Sequence, residues 1–229
     1  MVIGVIPARL ESTRFPRKIL FPIRNKPMIM HVYERAITSQ ILNRVIIAVD
    51  SQETVDALKD YDVEVIMTSL KHQSGTDRIA EAVENIDAEL IINIQGDEPM
   101  LDPKMIDDLI SQFDDKTVKI ATLASTIITE DDFINPNSVK VKIDKNNNAI
   151  GFYREISDRT IQYFRHIGIY GYRKKTLEVF TELGQSKNEQ LFHLEQLRAL
   201  DNKIPIRVAM CNFPYRGIDI QEDLEQLNL

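Results

Sequence analysis

Four basic side chains follow a short apolar run at the start of the chain. The run, Val2–Ile6, predicts a buried strand. The segment after it carries four cations and one acid, namely Arg9, Arg14, Arg17, Lys18 and Glu11. Open α/β sheets bind ligands in loops at the carboxyl ends of parallel strands. Clustered Arg and Lys there indicate a ligand with several negative charges, most simply a triphosphate, and a solvated surface loop is the alternative.

A second polar segment, His72–Arg78, combines amide, hydroxyl and guanidinium groups with a glycine. Gly75 permits close backbone approach, and Gln73 and Arg78 could reach a polar ligand. Ser74 supplies a hydroxyl and is a favoured residue type at a helix N-cap. The segment therefore predicts either a second ligand-binding loop or a capped helix start with no ligand.

Two aspartates could hold a metal ion. Asp97 follows the apolar run Leu90–Gln95 and Gly96, and Asp219 follows Gly217. Mg²⁺ is commonly bound by one or two carboxylates together with substrate phosphates. Two carboxylates could place one or two cations between a phosphorus centre and a nucleophile. A turn aspartate at 97 and an N-cap at 219 are the alternatives.

A further polar set is spread over the second half of the chain. Its members, candidates for a site that binds a polyhydroxy acid, are Arg154, His166, Tyr170, Glu195 and Gln196. His166 and Tyr170 are four residues apart on a predicted strand, so we expect them on one face. A purely structural histidine is the alternative for His166.

Familiar nucleotide-binding motifs are absent from the sequence. Only Gly4 lies near the end of the first strand, so there is no Gly-x-Gly-x-x-Gly fingerprint. No Gly-Lys-Ser/Thr follows a glycine-rich loop, which excludes a P-loop. Phosphate must then be held by side chains and loop amides.

Composition narrows the class of protein. The chain has 229 residues, 43% of them hydrophobic, and a net charge of −7, which argues against a general nucleic-acid surface. Its one cysteine, Cys211, excludes an internal disulfide and fits a reducing compartment. No signal peptide, transmembrane stretch or zinc-type Cys-His cluster is evident. We expect a soluble cytoplasmic protein.

Strand-like and helix-like segments alternate in the first half. The strands are Val2–Ile6, Arg44–Val49, Val63–Met67 and Leu90–Gln95, and the helices are a stretch after Pro27, Gln52–Lys59, Thr76–Asn85 and Pro103 to about Gln112. This rhythm predicts an α/β fold with a mostly parallel central sheet flanked by helices.

The pattern changes after about Val118. Predicted strands are Lys119–Ser125, Ser138–Asp144, Ala149–Arg154, His166–Arg173 and Ile204–Met210, and predicted helices are Glu189–Leu200 and Gln221–Leu227. Three asparagines, Asn146–Asn148, indicate a turn, because Asn tolerates positive φ. We expect one domain over residues 1–229, with a smaller antiparallel β-arm around 138–173.

Ordered motifs along nearly the whole chain resemble those of the 3-deoxy-manno-octulosonate (Kdo) cytidylyltransferases, the CMP-Kdo synthetase family. They are Pro7-Ala8-Arg9, Ser12-Thr13-Arg14, Lys18, Lys26–Ile29, His72–Thr76, Gln95–Pro99, Asn135–Asn137, Val139–Val141, Arg165–Arg173, Leu194–Arg198 and Gly217–Asp219. Together they are far more specific than any one of them.

The resemblance implies a glycosyltransferase-A-like fold and a Mg²⁺-dependent transfer from CTP to a Kdo-type acid, for lipopolysaccharide or capsule synthesis. It implies a CTP site at Ala8, Arg9, Ser12, Arg14, Lys18, Gln73, Ser74, Gly75 and Arg78. It places Gln95, Arg154, His166, Tyr170, Glu195 and Gln196 on the sugar acid. Lys18, Arg9, Asp97 and Asp219 would be catalytic, with Mg²⁺ on the two aspartates, in a homodimer.

Three departures from the family pattern border the implied pocket. Arg17 stands where the family usually has glycine, Glu155–Thr160 lacks an Ile-Pro pair, and Phe213–Ile218 replaces a Pro-Gly-Thr-Gly-Val run. Two alternatives remain open. The chain could use a modified Kdo, such as an 8-amino form, or another nonulosonic acid. It could also be a nucleotide-binding protein without catalysis.

Overall fold

The computed structural model describes residues 1–12 and 15–213. Within that range the chain forms two compact units, residues 1–107 and 108–213. The expectation of a single domain stays a prediction. None of the helices in the described residues is long and apolar enough to span a membrane.

The first unit alternates strands and helices as the sequence predicts. Its elements are β1 (Val2–Ala8), β2 (Pro22–Ile23), β3 (Lys26–Pro27), α1 (Met28–Ala36), β4 (Arg44–Val49), α2 (Gln52–Leu58), β5 (Glu64–Met67), α3 (Gly75–Val83), β6 (Leu90–Asn93) and α4 (Pro103–Ser111), which ends in the second unit. The strands β6, β1, β4 and β5 lie side by side and are all parallel. Their near-continuous aliphatic runs suit a parallel sheet covered on both faces.

Helix caps fix the loops at the carboxyl edge of this sheet. The Ser74 hydroxyl accepts a hydrogen bond from the Asp77 amide at 3.1 Å, as expected of an N-cap. Asp102 caps α4 in the same way, accepting from the Lys104 amide at 2.9 Å. The loops after β1, β4 and β6 all leave the sheet at this edge.

A small hairpin that sequence reasoning missed anchors the end of the basic segment. It joins β2 to β3 through Arg24 and Asn25, both with positive φ (47° and 64°). Its Ile23 packs in a buried cluster with Phe15 and Met28. The backbone on either side of Lys18 is therefore held by apolar packing.

The second unit is mainly antiparallel. Its elements are β7 (Ile120–Ser125), α5 (Glu130–Ile134), β8 (Lys140–Ile143), β9 (Ala149–Tyr153), β10 (Phe164–Arg173), α6 (Lys174–Glu182), α7 (Lys187–Phe192), α8 (Leu197–Asp201) and β11 (Ile206–Cys211). Strand β7 is antiparallel to β10 and parallel to β11. Strand β8 pairs antiparallel with both β9 and β10. The parallel strands of the first unit and the antiparallel pairs of the second together confirm the predicted α/β fold with a mostly parallel sheet and an antiparallel arm. The turn residue Asn147 has the expected positive φ of 59°.

The prediction of one helix over Glu189–Leu200 is wrong. The structure has α7 and α8 instead, separated at His193, whose φ of 52° is left-handed. The reason is a buried ion pair, since Arg198 Nε lies 2.8 Å from a Glu189 carboxylate oxygen. Nine residues of continuous helix would separate the two backbone positions by about 13.5 Å, so the chain must fold back to form this pair. The short helices α5 and α6 were also not predicted.

Candidate active site

A cleft of ≈ 360 Å³ lies at the carboxyl edge of the parallel sheet in the first unit. Its lining includes most of the residues that the sequence assigns to nucleotide and metal, together with Gln95: Arg9, Ser12, Lys18, Gln73, Ser74, Gly75, Arg78, Gln95 and Asp97. Ala8, the last residue of β1, is fully buried just before this lining. The volume is in the range of small-ligand sites. Three segments far apart in sequence thus form one polar cleft.

Two glycines let these segments approach one another. A Cβ on Gly75 would lie 3.3 Å from the Pro7 ring, and one on Gly96 would lie 3.4 Å from the Pro7 carbonyl oxygen. The separation at Gly75 is tight, so a larger residue there would require the His72–Arg78 segment or Pro7 to shift, whereas the one at Gly96 is close to ordinary contact. The expectation that Gly75 serves close backbone approach agrees with this geometry.

Lys18 and Asp97 form an ion pair inside the cleft. Lys18 Nζ lies 2.5 Å from Asp97 Oδ2, and the two side chains are 12% and 32% exposed. The lysine therefore places a positive charge directly against the carboxylate that the sequence assigns to a metal. Asp97 sits where a cation is favoured, and Lys18 is held at the cleft rather than in solvent.

Glu98, next to Asp97, is a buried acid that sequence reasoning did not single out. It is 2% exposed, and its Oε2 has no hydrogen-bond partner. Burial raises the pKa of this carboxyl well above its ordinary value, and the neighbouring Asp97 charge adds to the rise while Lys18 opposes it. Burial therefore favours the uncharged form of Glu98, beside the Lys18–Asp97 pair.

The residues at the cleft fit Mg²⁺ rather than a metal enclosed by protein. Over residues 1–12 and 15–213, no cluster of three or more His, Cys, Asp or Glu side chains could hold an ion. Asp97 offers a partly exposed carboxylate, which is the donor set of an ion that takes its remaining ligands from phosphates and water. The other proposed ligand, Asp219, and the loop residue Arg14 lie outside the described residues.

Arg78 lines the cleft, but its guanidinium contacts protein. Nη2 donates to Asp50 Oδ2 at 3.0 Å, and Nη1 donates to the Thr68 hydroxyl at 2.6 Å. Sequence reasoning missed Asp50 as the partner of this cleft residue. The signal was available, because Asp50 follows the apolar strand β4 as Asp97 follows the apolar run that begins with β6.

In the second unit, His166 and Tyr170 come together as expected. The Tyr170 hydroxyl and the Thr122 hydroxyl each lie 3.0 Å from His166 Nε2. A bulge shapes this contact, since β10 advances from Ile167 to Tyr170 while β7 advances by one residue. Thr122 was not predicted, although a threonine inside an apolar strand is a recognisable signal.

Burial keeps this cluster uncharged at neutral pH. Desolvation lowers the pKa of His166 to about 3, so the imidazole is neutral. Burial, followed by the charge environment of Tyr172 and Glu195, raises the pKa of the Tyr170 hydroxyl well above its ordinary value. The cluster therefore presents neutral donors and acceptors, which suit hydroxyl groups better than an anion.

Glu195 and Gln196 lie with Tyr170 around a small cavity of ≈ 20 Å³. This is room for about one water molecule and not for a sugar acid. The structure thus gathers three of the predicted sugar-acid residues around a cavity that is too small for a sugar acid.

Arg154 binds backbone carbonyls, which sequence reasoning did not predict. Its guanidinium donates to the backbone carbonyls of Pro136, Phe192 and His193 at 2.9–3.1 Å. The side chain therefore fixes the corner between α7 and α8, just before Glu195. A direct contact of Arg154 with a sugar acid stays a prediction.

Comparison with known proteins places these features in a family. The family model described as cytidylyltransferase matches residues 3–206. The 3-deoxy-manno-octulosonate cytidylyltransferase of Thermodesulfovibrio yellowstonii is 44% identical over 98% of this chain and 96% of its own length. That of Chloroherpeton thalassium is 42% identical over 97% of this chain and 94% of its own length.

Solved structures agree. The structure of a CMP:2-keto-3-deoxy-manno-octonic acid synthetase complexed with CTP has a TM-score of 0.93 and 36% identity, covering 99% of this chain and 96% of that one. A glucose-1-phosphate thymidylyltransferase structure from Bacillus anthracis, at 16% identity and TM-score 0.72 over 100% of this chain and 94% of that one, shares the fold. The chain therefore belongs to the 3-deoxy-manno-octulosonate cytidylyltransferase family.

Proposed function

We propose that this protein couples CTP to a Kdo-type acid, giving the CMP-sugar and pyrophosphate. The observation that carries the proposal is the first unit's cleft, where the basic segment, the His72–Arg78 segment and Asp97 meet. Its charges suit a triphosphate, and the relative with TM-score 0.93 was solved with CTP. Membership of the family supplies the sugar acid as the second substrate.

The nucleotide half of the reaction is assigned to the cleft. Arg9, Ser12 and Lys18 would hold the triphosphate, with cations and a hydroxyl directed to its oxygens. Gln73, Ser74 and Gly75 would contact the cytidine. Lys18 would stabilise the charge that develops on the leaving pyrophosphate.

We assign the metal to Asp97 and Asp219. When bound, Mg²⁺ would neutralise phosphate charge and favour ionisation of the attacking hydroxyl. The partly exposed Asp97 carboxylate supports this assignment. The raised pKa of the buried Glu98 carboxyl would favour its uncharged form and so limit the negative charge around Asp97.

The sugar-acid half is assigned to the second unit, and Gln95, which lines the first unit's cleft, stays a predicted contact of the sugar acid. His166, Tyr170 and Thr122 offer uncharged groups for sugar hydroxyls. Because the pKa of His166 is about 3, its imidazole is a poor general base and serves in binding. Glu195 and Gln196 would complete the contacts.

The reaction needs no covalent intermediate on the protein. The anomeric hydroxyl oxygen attacks the α-phosphorus, and a new P–O bond forms as the bond from that phosphorus to the bridging oxygen of the β-phosphate breaks. Pyrophosphate leaves with that electron pair, and the hydroxyl proton passes to solvent. The main task of the cleft is to neutralise two anions that must approach each other.

We further propose a location, an oligomeric state and a biosynthetic role for this protein. The protein would act in the cytoplasm, in agreement with its single cysteine. It would form a homodimer through the arm around residues 138–173. Its product would serve lipopolysaccharide or capsule synthesis.

The test is pyrophosphate release from CTP and Mg²⁺ with Kdo, an 8-amino analogue and a sialic acid offered separately. We expect release with Kdo. Release only with the 8-amino analogue or the sialic acid would keep the cytidylyltransferase and replace its substrate. CTP binding without release for any acid would favour a nucleotide-binding protein without catalysis.

A further inference from the structure

Asp50 joins the two nucleotide-binding segments of the first unit. Its Oδ1 accepts a hydrogen bond from the Leu10 amide at 2.9 Å, and its Oδ2 accepts from Arg78 Nη2 at 3.0 Å. Leu10 belongs to the basic segment, and Arg78 lies in the first turns of α3. One carboxylate therefore contacts both walls of the cleft from behind.

The other end of Arg78 continues the connection. Nη1 donates to the Thr68 hydroxyl at 2.6 Å, and that hydroxyl donates to the Val49 carbonyl at 2.7 Å. The Asp50 and Arg78 side chains are 9% and 5% exposed. Buried charges in such an arrangement are held by their partners, so the pair has one strongly favoured geometry.

Asp50 is not itself part of the cleft lining. Its contacts orient the backbone of residue 10, next to Arg9, and the start of the helix capped by Ser74. A shift in either contact would move groups that must meet the same nucleotide, and misplacement of this kind weakens binding even when the binding groups remain.

We propose that Asp50 is a positioning residue for CTP, which sets the spacing between the basic segment and the His72–Arg78 segment through Leu10 and Arg78. The inference rests on the proposed function for the identity of the nucleotide. Asp50 acts through these two contacts and touches neither substrate.

The test compares Asp50→Asn and Arg78→Lys with a matched control, Glu64→Gln. Glu64 pairs with Arg44 at the amino ends of β5 and β4, and the cleft lies at the carboxyl ends of these strands. Its variant therefore also breaks an Arg–carboxylate pair, but outside the cleft. Isothermal titration with CTP gives the affinity of each variant. Amide hydrogen exchange at Leu10, read by NMR, reports the bridge without any substrate.

We expect Asp50→Asn to weaken CTP binding at least about tenfold and Glu64→Gln to leave it within about twofold. KM for the sugar acid should stay within about twofold in both variants. Leu10 should exchange faster in Arg78→Lys, because the carboxylate loses its fixed partner. The variant that combines Asp50→Asn and Arg78→Lys should bind CTP about as tightly as whichever single variant binds it less tightly, since both residues act through one connection.

Unchanged CTP affinity in Asp50→Asn and Arg78→Lys would overturn the proposal, as would equal losses for CTP and the sugar acid. If Asp50→Asn does not fold, Arg78→Lys decides the same question. If the parent protein binds no CTP, the proposed function fails, and unchanged Leu10 exchange in Arg78→Lys would separately overturn the bridge.

Discussion

The two units place polar groups in opposite electrostatic settings. The first unit keeps charged groups at a cleft of ≈ 360 Å³, with Lys18 and Asp97 paired and partly exposed. The second unit buries His166 and Tyr170 as uncharged groups beside a cavity of ≈ 20 Å³. The comparison teaches that a triphosphate and a polyol call for different groups: partly exposed charges for the first, and buried neutral hydrogen-bonding groups for the second.

Among the variants that test this contrast between the units, Asp97→Asn should have the largest effect, which is a loss of turnover. It removes the negative charge that faces Lys18 and is assigned to the metal, while shape is kept. We expect turnover to fall at least about 10²-fold in pyrophosphate-release assays, with little change in melting temperature. Asp56→Asn, which removes an equal charge from the exposed surface of α2, is the control. Full activity of Asp97→Asn would contradict the assignment of charge to the first unit.

Protonation of the buried His166 should lower the stability of the second unit as the pH falls. Its pKa is about 3 when folded and 6.5 when unfolded, so the unfolded chain binds an extra proton between these values. Stability is fully present above pH 6.5 and is lost as the pH falls toward 3, by up to about 1.4 kcal/mol per pH unit. Urea unfolding of the parent and of His166→Asn should show a shallower decline in the variant. Parallel declines, or an NMR titration of the ring near 6.5, would show that the cluster is not buried and neutral.

Ionisation of the buried Glu98 should lower the stability of the first unit as the pH rises, which is the opposite pH dependence. Its folded pKa is raised, so the folded protein binds the extra proton, and stability is lost as the pH rises from about 4.5 through the raised value. Glu98→Gln mimics the protonated acid and should remove that loss. Urea unfolding between pH 5 and 8 measures it, with Glu64→Gln as control. A variant whose stability follows the parent at every pH would place the Glu98 carboxylate in contact with water.

Substitutions of Arg17 should have the smallest effect, which is a change in the free energy of unfolding. Its φ of 57° is left-handed, a conformation that favours the glycine which the family resemblance implies at this position. Its exposed pair with Glu53, at 2.9 Å, contributes little. We expect Arg17→Gly to unfold with a free energy about 1 kcal/mol higher than Arg17→Ala, because only glycine relieves the backbone strain. An alanine variant as stable as the glycine variant would mean that this turn relaxes freely.

Sequence reasoning predicted the first unit better than the second, for a physical reason. In a parallel sheet, loops that follow successive strands meet at one edge, so Lys18 and Asp97 could be placed at the same edge without coordinates. Asp50 obeyed the same rule and was overlooked, because its partners Leu10 and Arg78 come from other segments.

The second unit depends on contacts that the local pattern does not carry. The bulge between Ile167 and Tyr170 and the break at His193 arise from tertiary packing, the latter through the buried Glu189–Arg198 pair. Arg154 was predicted to contact the sugar acid, which stays a prediction, and its guanidinium donates to three backbone carbonyls. A periodicity argument cannot tell these uses of an arginine apart.

The most direct test of the division between the units is a pair of KM measurements on Lys18→Ala and His166→Ala. We predict that Lys18→Ala raises KM for CTP at least about tenfold more than KM for the sugar acid, and that His166→Ala does the reverse, in keeping with the loss of one hydrogen-bonding group in each case. Equal effects on both substrates, or the opposite pairing, would contradict the assignment of nucleotide to the first unit and sugar acid to the second.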